Sequence, residues 1–286
     1  MLIPDQIEQY HRDGYIGVEN VLSQAEVEEL RSVTDGYLEK SRQVTENDDI
    51  FDLEPGHTAE EPKLRRLKAP IDVHEVYRNT LEHPKILDIV SQLIGPSLWT
   101  NGNKLNMKSP GGGSPVEWHQ DWAWYPFTND SLLAVGVCMD DMMEENGCLL
   151  AIPGTHKDRI LDHHSKGLFA GGVTEPDFDD SGAKKIEVKA GGISIHHVRV
   201  LHGSLPNLSV NPRRLLLFQY CASDAWPLRG VEWDEYVASH VRGEPTNQPR
   251  VADVPVRIPL PRPKHAGSIY ETQRAIEKTT FGEATT

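Results

Sequence analysis

The feature that most narrows the fold of this chain is a change of hydrophobic period at Gly95-Pro96. Before that point apolar residues recur at helical spacing. After it they come in short or alternating runs bounded by Gly and Pro, the pattern of a β-sandwich or barrel. On the helical side, a polar amphipathic run spans Asp5 to Arg12 and a Gly-flanked strand is expected from Tyr15 to Val18. Ser23-Gln24-Ala25-Glu26 then has the form of a capping box, in which the serine and glutamate side chains satisfy backbone N–H groups that a helix start leaves unpaired. The helix it opens carries Val27, Leu30, Tyr37 and Leu38 on its apolar side. Pro84 opens another, with Ile86, Leu87, Val90, Leu93 and Ile94 on one face, which Gly95-Pro96 stops. Strands are expected at Leu98 to Lys108, Val116 to Asp121, Leu132 to Met139, Cys148 to Ile152, Ile186 to Val188, Ile193 to Val200 and Arg214 to Cys221. The acidic stretch Val44 to Pro62 reads as a loop. A polar excursion from Ile152 to Ile186 has the length of a segment that covers a site or is disordered, and the polar tail beyond Arg262 reads as a helix or a flexible end.

With 286 residues, 38% of them apolar, the chain can bury a large core. Its 43 acidic and 29 basic residues leave a formal charge of −14, which disfavours nonspecific binding to nucleic acid or anionic lipid. No run approaches the ~20 apolar residues of a membrane span, and residues 1–9 lack a basic-then-apolar signal pattern, so the expected location is cytoplasmic. Cys138, Cys148 and Cys221 are odd in number, lack C-x-x-C spacing and sit in apolar runs. Buried free thiols are expected rather than disulfides or a thiolate metal knot.

The segment richest in chemistry is Trp118-His119-Gln120-Asp121-Trp122. On a strand, residues two apart share a face, so the His119 imidazole and the Asp121 carboxylate can converge on one ion. His202, after another apolar run, supplies a second imidazole. Two histidines and a carboxylate on one face of an octahedron leave three positions open, as in non-haem Fe(II) oxygenases, whereas the helical His-Glu-x-x-His of zinc hydrolases is absent. An isolated H-x-D tripeptide is a weak signal. What strengthens it is Ser204 two residues after His202 and Arg213 eleven after, at the start of an apolar strand. A dicarboxylate bound to the metal at one end needs its distal carboxylate clamped, and a guanidinium with a nearby hydroxyl does this.

His119-Gln120-Asp121, then Glu145-Asn146-Gly147-Cys148-Leu149 leading into Ile152-Pro153-Gly154-Thr155-His156-Lys157, then His202-Gly203-Ser204 through Asn207 to Arg213, resembles the phytanoyl-CoA dioxygenase family in motif order, from Asp13-Gly14-Tyr15 to about Asp224. The resemblance implies an Fe(II)- and 2-oxoglutarate-dependent oxygenase that uses O2 and has a double-stranded β-helix, or jelly-roll, core. It implies one oxygenase domain over residues 1–286: a helical part at 1–96, the core at about 97–224 and an extension at 225–286. It implies metal ligation by His119, Asp121 and His202, and a cosubstrate carboxylate held by Arg213 and Ser204. Further cosubstrate contacts fall most nearly on Lys104 and, in a looser alignment, on Lys68. The phytanoyl-CoA hydroxylase itself has an aromatic residue where Val137 stands here, which argues against phytanoyl-CoA as the substrate. Retention of the carboxylate at Asp121 favours hydroxylation over the halogenation of relatives that replace it.

Other residues have two readings. Lys104, Asn106 and Lys108 share a strand face that could equally be solvated. Trp122 and Trp124 could line a substrate pocket or belong to the core. Alternation sends His197 to the face opposite His202, although the resemblance gives it a supporting place near the site, while His196 shares the His202 face only if no bulge intervenes. His156-Lys157 reads as structural, His163-His164 as surface, and Gly111-Gly112-Gly113 as a turn, because no P-loop lysine follows. The expected activity is hydroxylation of a C–H bond in a small organic molecule. The alternatives are a non-catalytic jelly-roll binding protein and a metal-dependent hydrolase or isomerase on the same scaffold.

Overall fold

A computed structural model describes residues 1–264 and 267–282. Its N-terminal part follows local helix signals. α1 (Pro4–Asp13) starts on a proline and ends where Gly14 adopts φ +84°. After β1 (Tyr15–Val18) comes α2 (Gln24–Lys40), whose capping box forms as expected: Glu26 Oε2 accepts from Ser23 N at 2.7 Å. β2 (Phe51–Leu53) and β3 (Leu64–Lys68) lead into α3 (Pro70–Val73), α4 (Glu75–Leu81) and α5 (Pro84–Ile94). The remainder is mostly strand: β4 (Leu98–Lys108), β5 (Val116–His119), β6 (Leu132–Cys138), β7 (Leu149–Ala151), β8 (His164–Ser165), β9 (Leu168–Phe169), β10 (Lys184–Ile186), β11 (Ile193–His197), β12 (His202–Ser204) and β13 (Arg213–Ala222). α6 (Trp233–Ala238), β14 (His240–Arg242) and α7 (Ile269–Thr272) complete the described chain.

The strands form the expected jelly roll of two antiparallel sheets. The larger runs β1-β11-β6-β13-β4-β3-β2, with β14 also paired to β4, and the smaller runs β10-β7-β12-β5. Alternation along the central strands of the larger sheet sorts side chains between two environments. Leu105 and Met107 of β4, Val135 and Val137 of β6, and Leu216, Phe218 and Tyr220 of β13 pack in one cluster with Leu30, Tyr77, Ile86 and Val90 of the helices. Burying each such side chain contributes roughly 1.5–3 kcal/mol, so this layer fixes which face of the sheet turns inward. The opposite residues, Lys104, Asn106 and Lys108 of β4 and Arg213, Leu215 and Leu217 of β13, therefore face the interior between the sheets. Antiparallel pairing sets them opposite one another, with Arg213 opposite Lys108 and Leu217 opposite Lys104. Lys108 is 1% exposed, so the polar stripe of β4 is an interior lining and not a solvated face.

Several local expectations are corrected. The acidic stretch around Asp52 contains β2, which pairs antiparallel with β3, and Asp52 is itself buried against Arg65 at 2.7 Å. The strand carrying His119 ends there, and Asp121–Ala123 form a 3-10 turn. The excursion after Ile152 is ordered: it contains the β8–β9 hairpin, and its Gly171, at φ +70°, lies against Trp124. The three cysteines, by contrast, are free and buried as expected. None of the described helices is long and apolar enough to cross a membrane.

Candidate metal centre and adjoining cavity

His119 ends β5 and His202 begins β12, and the two residues are cross-strand partners in the smaller sheet. This register brings their rings to a centroid separation of 4.1 Å. Asp121 joins them although the strand has ended, because Gln120 keeps an extended backbone (φ −117°, ψ 124°) and so carries the chain one more step along the strand direction. His119 Nε2 lies 3.7 Å from Asp121 Oδ1, and one ligand atom from each of His119, Asp121 and His202 falls within 4.8 Å of the others.

The hydrogen bonds behind these groups fit them for a metal. His119 Nδ1 donates to the Glu117 carbonyl at 2.9 Å and His202 Nδ1 to the Val200 carbonyl at 3.0 Å. A carbonyl only accepts, so each proton sits on Nδ1 and the Nε2 lone pair is left facing the carboxylate. Burial pushes His119 down to about 4 and His202 well below the usual histidine range, which keeps both imidazoles neutral near pH 7. Burial alone would raise the Asp121 carboxyl. The hydrogen bond from His196 and the positive charge of Lys104 outweigh it and hold the group well below the carboxylate range. Two neutral imidazoles and an ionised carboxylate on one side of a buried space suit a divalent ion with open coordination positions.

The surrounding side chains brace this geometry. Between His119 and Asp121, Gln120 donates from Nε2 to the Arg199 carbonyl at 2.9 Å and accepts at Oε1 from Leu161 N at 2.9 Å. Its backbone N–H donates to His163 Nε2 at 3.0 Å. His163 is thus buried under the site and not on the surface, with burial pushing it down to about 4. A single histidine in a polar excursion carries no period from which this contact could be read. His196 points inward, with Nε2 3.4 Å from Asp121 Oδ2. His197 faces the other way, beside Tyr10, His156 and Asp130, so the supporting contact belongs to His196 and the place near the site expected for His197 is not found.

A narrow inner chamber runs from the triad to Ser204 and Arg213, walled by Val116, Leu149, Leu215 and Leu217. Arg213 is 2% exposed; its Nη2 donates to the Gly147 carbonyl at 3.2 Å, its Nε has no partner, and no carboxylate lies within 4 Å among the described residues. Gly147, at φ +78°, makes the tight turn that presents this carbonyl, and a Cβ there would lie 2.5 Å from the Leu205 carbonyl oxygen. Asn146 and Asn207 tie the flanking loops through bonds to the Asp141 and Lys108 carbonyls. Lys108, beside Arg213, spends its ammonium on the carbonyls of Ser204 and Leu205. A buried cation that lacks a counter-charge is costly, so Arg213 is built to receive an anion.

The other candidate residues divide. Lys104 lies where this chamber meets a second, outer one, and Trp124 lines the outer one. Lys68 is the cross-strand partner of Lys104 but does not enter the cavity: like charges directly opposite repel, and its Nζ donates to the Asp48 carbonyl at 2.6 Å instead. Trp122 belongs to the core. The 3-10 turn at Asp121 sends its ring among Phe127, Leu132 and Val198, with Nε1 donating to the Pro255 carbonyl at 2.8 Å.

Comparison with known proteins agrees with this geometry. Residues 10–215 match the family model of phytanoyl-CoA dioxygenase (PhyH). A probable alpha-ketoglutarate-dependent hypophosphite dioxygenase of Stutzerimonas stutzeri is 32% identical, over 96% of this chain and 98% of its own. An ectoine dioxygenase of Bordetella parapertussis is 26% identical over 77% of this chain and 75% of its own. Among solved structures, EctD from S. alaskensis superposes with a TM-score of 0.67 at 21% identity, over 90% of this chain and 87% of that one, a likeness of fold. The chain belongs to the phytanoyl-CoA dioxygenase family and is a dioxygenase of the iron- and 2-oxoglutarate-dependent type.

Proposed function

We propose that His119, Asp121 and His202 hold the ferrous ion, that Arg213 and Ser204 hold the distal carboxylate of 2-oxoglutarate, and that the reaction is hydroxylation of a C–H bond in a small organic molecule. The observation that carries the reading is the buried triad facing, across one chamber, a buried guanidinium with no carboxylate partner. Bound there, iron would supply the redox chemistry by which 2-oxoglutarate, O2 and R–H become succinate, CO2 and R–OH.

The chain's own residues do the positioning. The Arg213 fork, with the Ser204 hydroxyl beside it, fixes one end of the keto-diacid and so directs its other end at the triad. Val116, Leu149, Leu215 and Leu217 keep water from the space between. No protein base is required to remove a hydrogen atom from carbon, and none is assigned. The whole chain serves as one oxygenase domain: residues 1–96 supply the covering helices and three outer strands of the larger sheet, about 97–224 form the core, and 225–286 extend it, contributing Ile269 to the cavity wall. The intact triad and Arg213 disfavour a non-catalytic binding protein, and dependence of turnover on O2 distinguishes the reading from a hydrolase or isomerase.

The test is succinate formation from 2-oxoglutarate by iron-loaded protein, with and without oxygen. Asp121→Ala should abolish it while leaving the circular dichroism spectrum unchanged. Succinate formation that survives this substitution, or that proceeds without oxygen, overturns the assignment.

A further inference from the structure

Beyond Asp121 and Lys104 the cavity opens into the outer chamber, which encloses about 760 Å³ including its mouth, room for a small organic molecule. Trp124, Tyr125 and Ile269 supply apolar wall. Among the described residues the charged wall is one-sided: Arg66, Lys104, Arg229 and Arg262 against a single carboxylate, Asp121, which is one of the triad. In a chain with 43 acidic and 29 basic residues such a concentration runs against the background. Pairing sharpens the contrast. Among the described residues eleven of the sixteen arginines have a carboxylate within 4 Å, and the five that do not are Arg66, Arg213, Arg229, Arg262 and Arg274. Only Arg274 lies outside the two chambers.

Arg66 is held in place from behind. Its Nε donates to Asn106 Oδ1 at 3.2 Å, and its guanidinium lies 5.6 Å from the Tyr270 ring centre. Asp52 and Glu271 act on it from beyond 4 Å, and both are engaged elsewhere: Asp52 with Arg65 at 2.7 Å, Glu271 with Ser268 N at 2.8 Å. Burial lowers Lys104 from its ordinary range, while Asp121 counteracts this. Four cationic side chains with no carboxylate within 4 Å among the described residues, around a space continuous with the metal centre, make an anion site whose counter-charge must come with the ligand.

We infer that the outer chamber binds the negatively charged head of the substrate, so that the molecule oxidised is a small organic anion, a carboxylate, sulfonate or phosphonate. This rests on the oxygenase reading above. Lys104, Asp121, Gln219 and Ile269 line both chambers, so an anion seated on Arg66, Arg229 and Arg262 directs the rest of its carbon skeleton toward the triad. The charge then fixes which carbon is presented.

The test uses the full chain loaded with Fe(II) and saturated with 2-oxoglutarate without oxygen, so that Arg213 is already engaged. Phenylphosphonate, benzenesulfonate, benzoate and neutral benzamide are titrated by calorimetry. At least one of the three anions should bind saturably and more weakly as salt rises, with benzamide at least tenfold weaker. The double substitution Arg229→Ser/Arg262→Ser, at two exposed positions where folding is not at stake, should weaken that anion at least tenfold, and Arg66→Gln should do likewise. Arg274→Ser is the control for general electrostatics and should change nothing. Binding of benzamide as tight as that of the anions, anion affinity untouched by the substitutions, or no anion binding at all overturns the inference. The oxygenase reading is scored separately, by whether 2-oxoglutarate itself binds to the iron-loaded protein before any probe is added.

Discussion

Replacing Arg213 with methionine separates two quantities that the buried guanidinium couples. Without ligand, the cation is 2% exposed, keeps one hydrogen bond to the Gly147 carbonyl and meets no carboxylate within 4 Å among the described residues. Methionine of similar volume removes an unmatched buried charge, and the loss of the single hydrogen bond costs about 1 kcal/mol. The ligand-free protein should therefore keep its Tm or gain a few degrees. In the proposed complex with 2-oxoglutarate, the same substitution strips a buried carboxylate of its partner. Truncating one side of such a pair costs about 2–5 kcal/mol, which at about 1.4 kcal/mol per tenfold is a 30-fold to few-thousand-fold loss of affinity. Calorimetric titration of 2-oxoglutarate into iron-loaded protein without oxygen, together with thermal unfolding of the metal-free protein, reads both. An affinity within threefold of the parent would refute the assignment, because the carboxylate would then have to sit elsewhere.

Other substitutions probe the cavity walls and the core. In Gly171→Ala the new Cβ would stand 2.2 Å from Trp124 Cζ2 at a residue with φ +70°, so it should cost roughly 1–3 kcal/mol and raise the KM for substrate by displacing the indole, read by unfolding and by steady-state kinetics. Trp122→Ala removes a fully buried ring and should cost roughly 3–5 kcal/mol, whereas Trp122→Phe should leave substrate preference unchanged. A shift in preference would return this residue to the pocket wall. His163 and His197 are pushed by burial to about 4 and about 3, below the value of about 6.5 for an unfolded chain. The unfolded state then binds more protons, so metal-free protein should lose stability as the pH falls from about 6.5 toward 4. Constant Tm across that window would contradict the burial of these rings.

The period change at Gly95-Pro96 was readable because helix and strand periods reflect one-sided burial, and both sides of that boundary are amphipathic in the structure. β4 matches its expected bounds, and β13 differs by a residue at each end. What alternation alone cannot say is which face of a strand is inside. Lys104, Asn106 and Lys108 look like a solvated stripe until the helices are seen to cover the opposite face with Leu105 and Met107. The triad was legible from spacing, although the reason differs in part: Asp121 reaches the site through one extended residue, Gln120, rather than by lying in the strand. His163, Arg66, Arg229 and Arg262 were missed. They come from a hairpin excursion, the short strand β3, a turn and the C-terminal extension, and nothing periodic links positions that only tertiary folding brings together.

The proposed ferrous centre is tested most directly by ultraviolet–visible spectroscopy. Fe(II) and then 2-oxoglutarate are added without oxygen to the purified chain, to His119→Ala and to Asp121→Ala, with bound iron quantified in each. A broad visible charge-transfer band that grows with 2-oxoglutarate in the parent and is lost in both variants is the predicted result. A parent protein that binds iron stoichiometrically yet develops no band, or a band that persists without His119 and Asp121, would contradict a centre built on His119, Asp121 and His202.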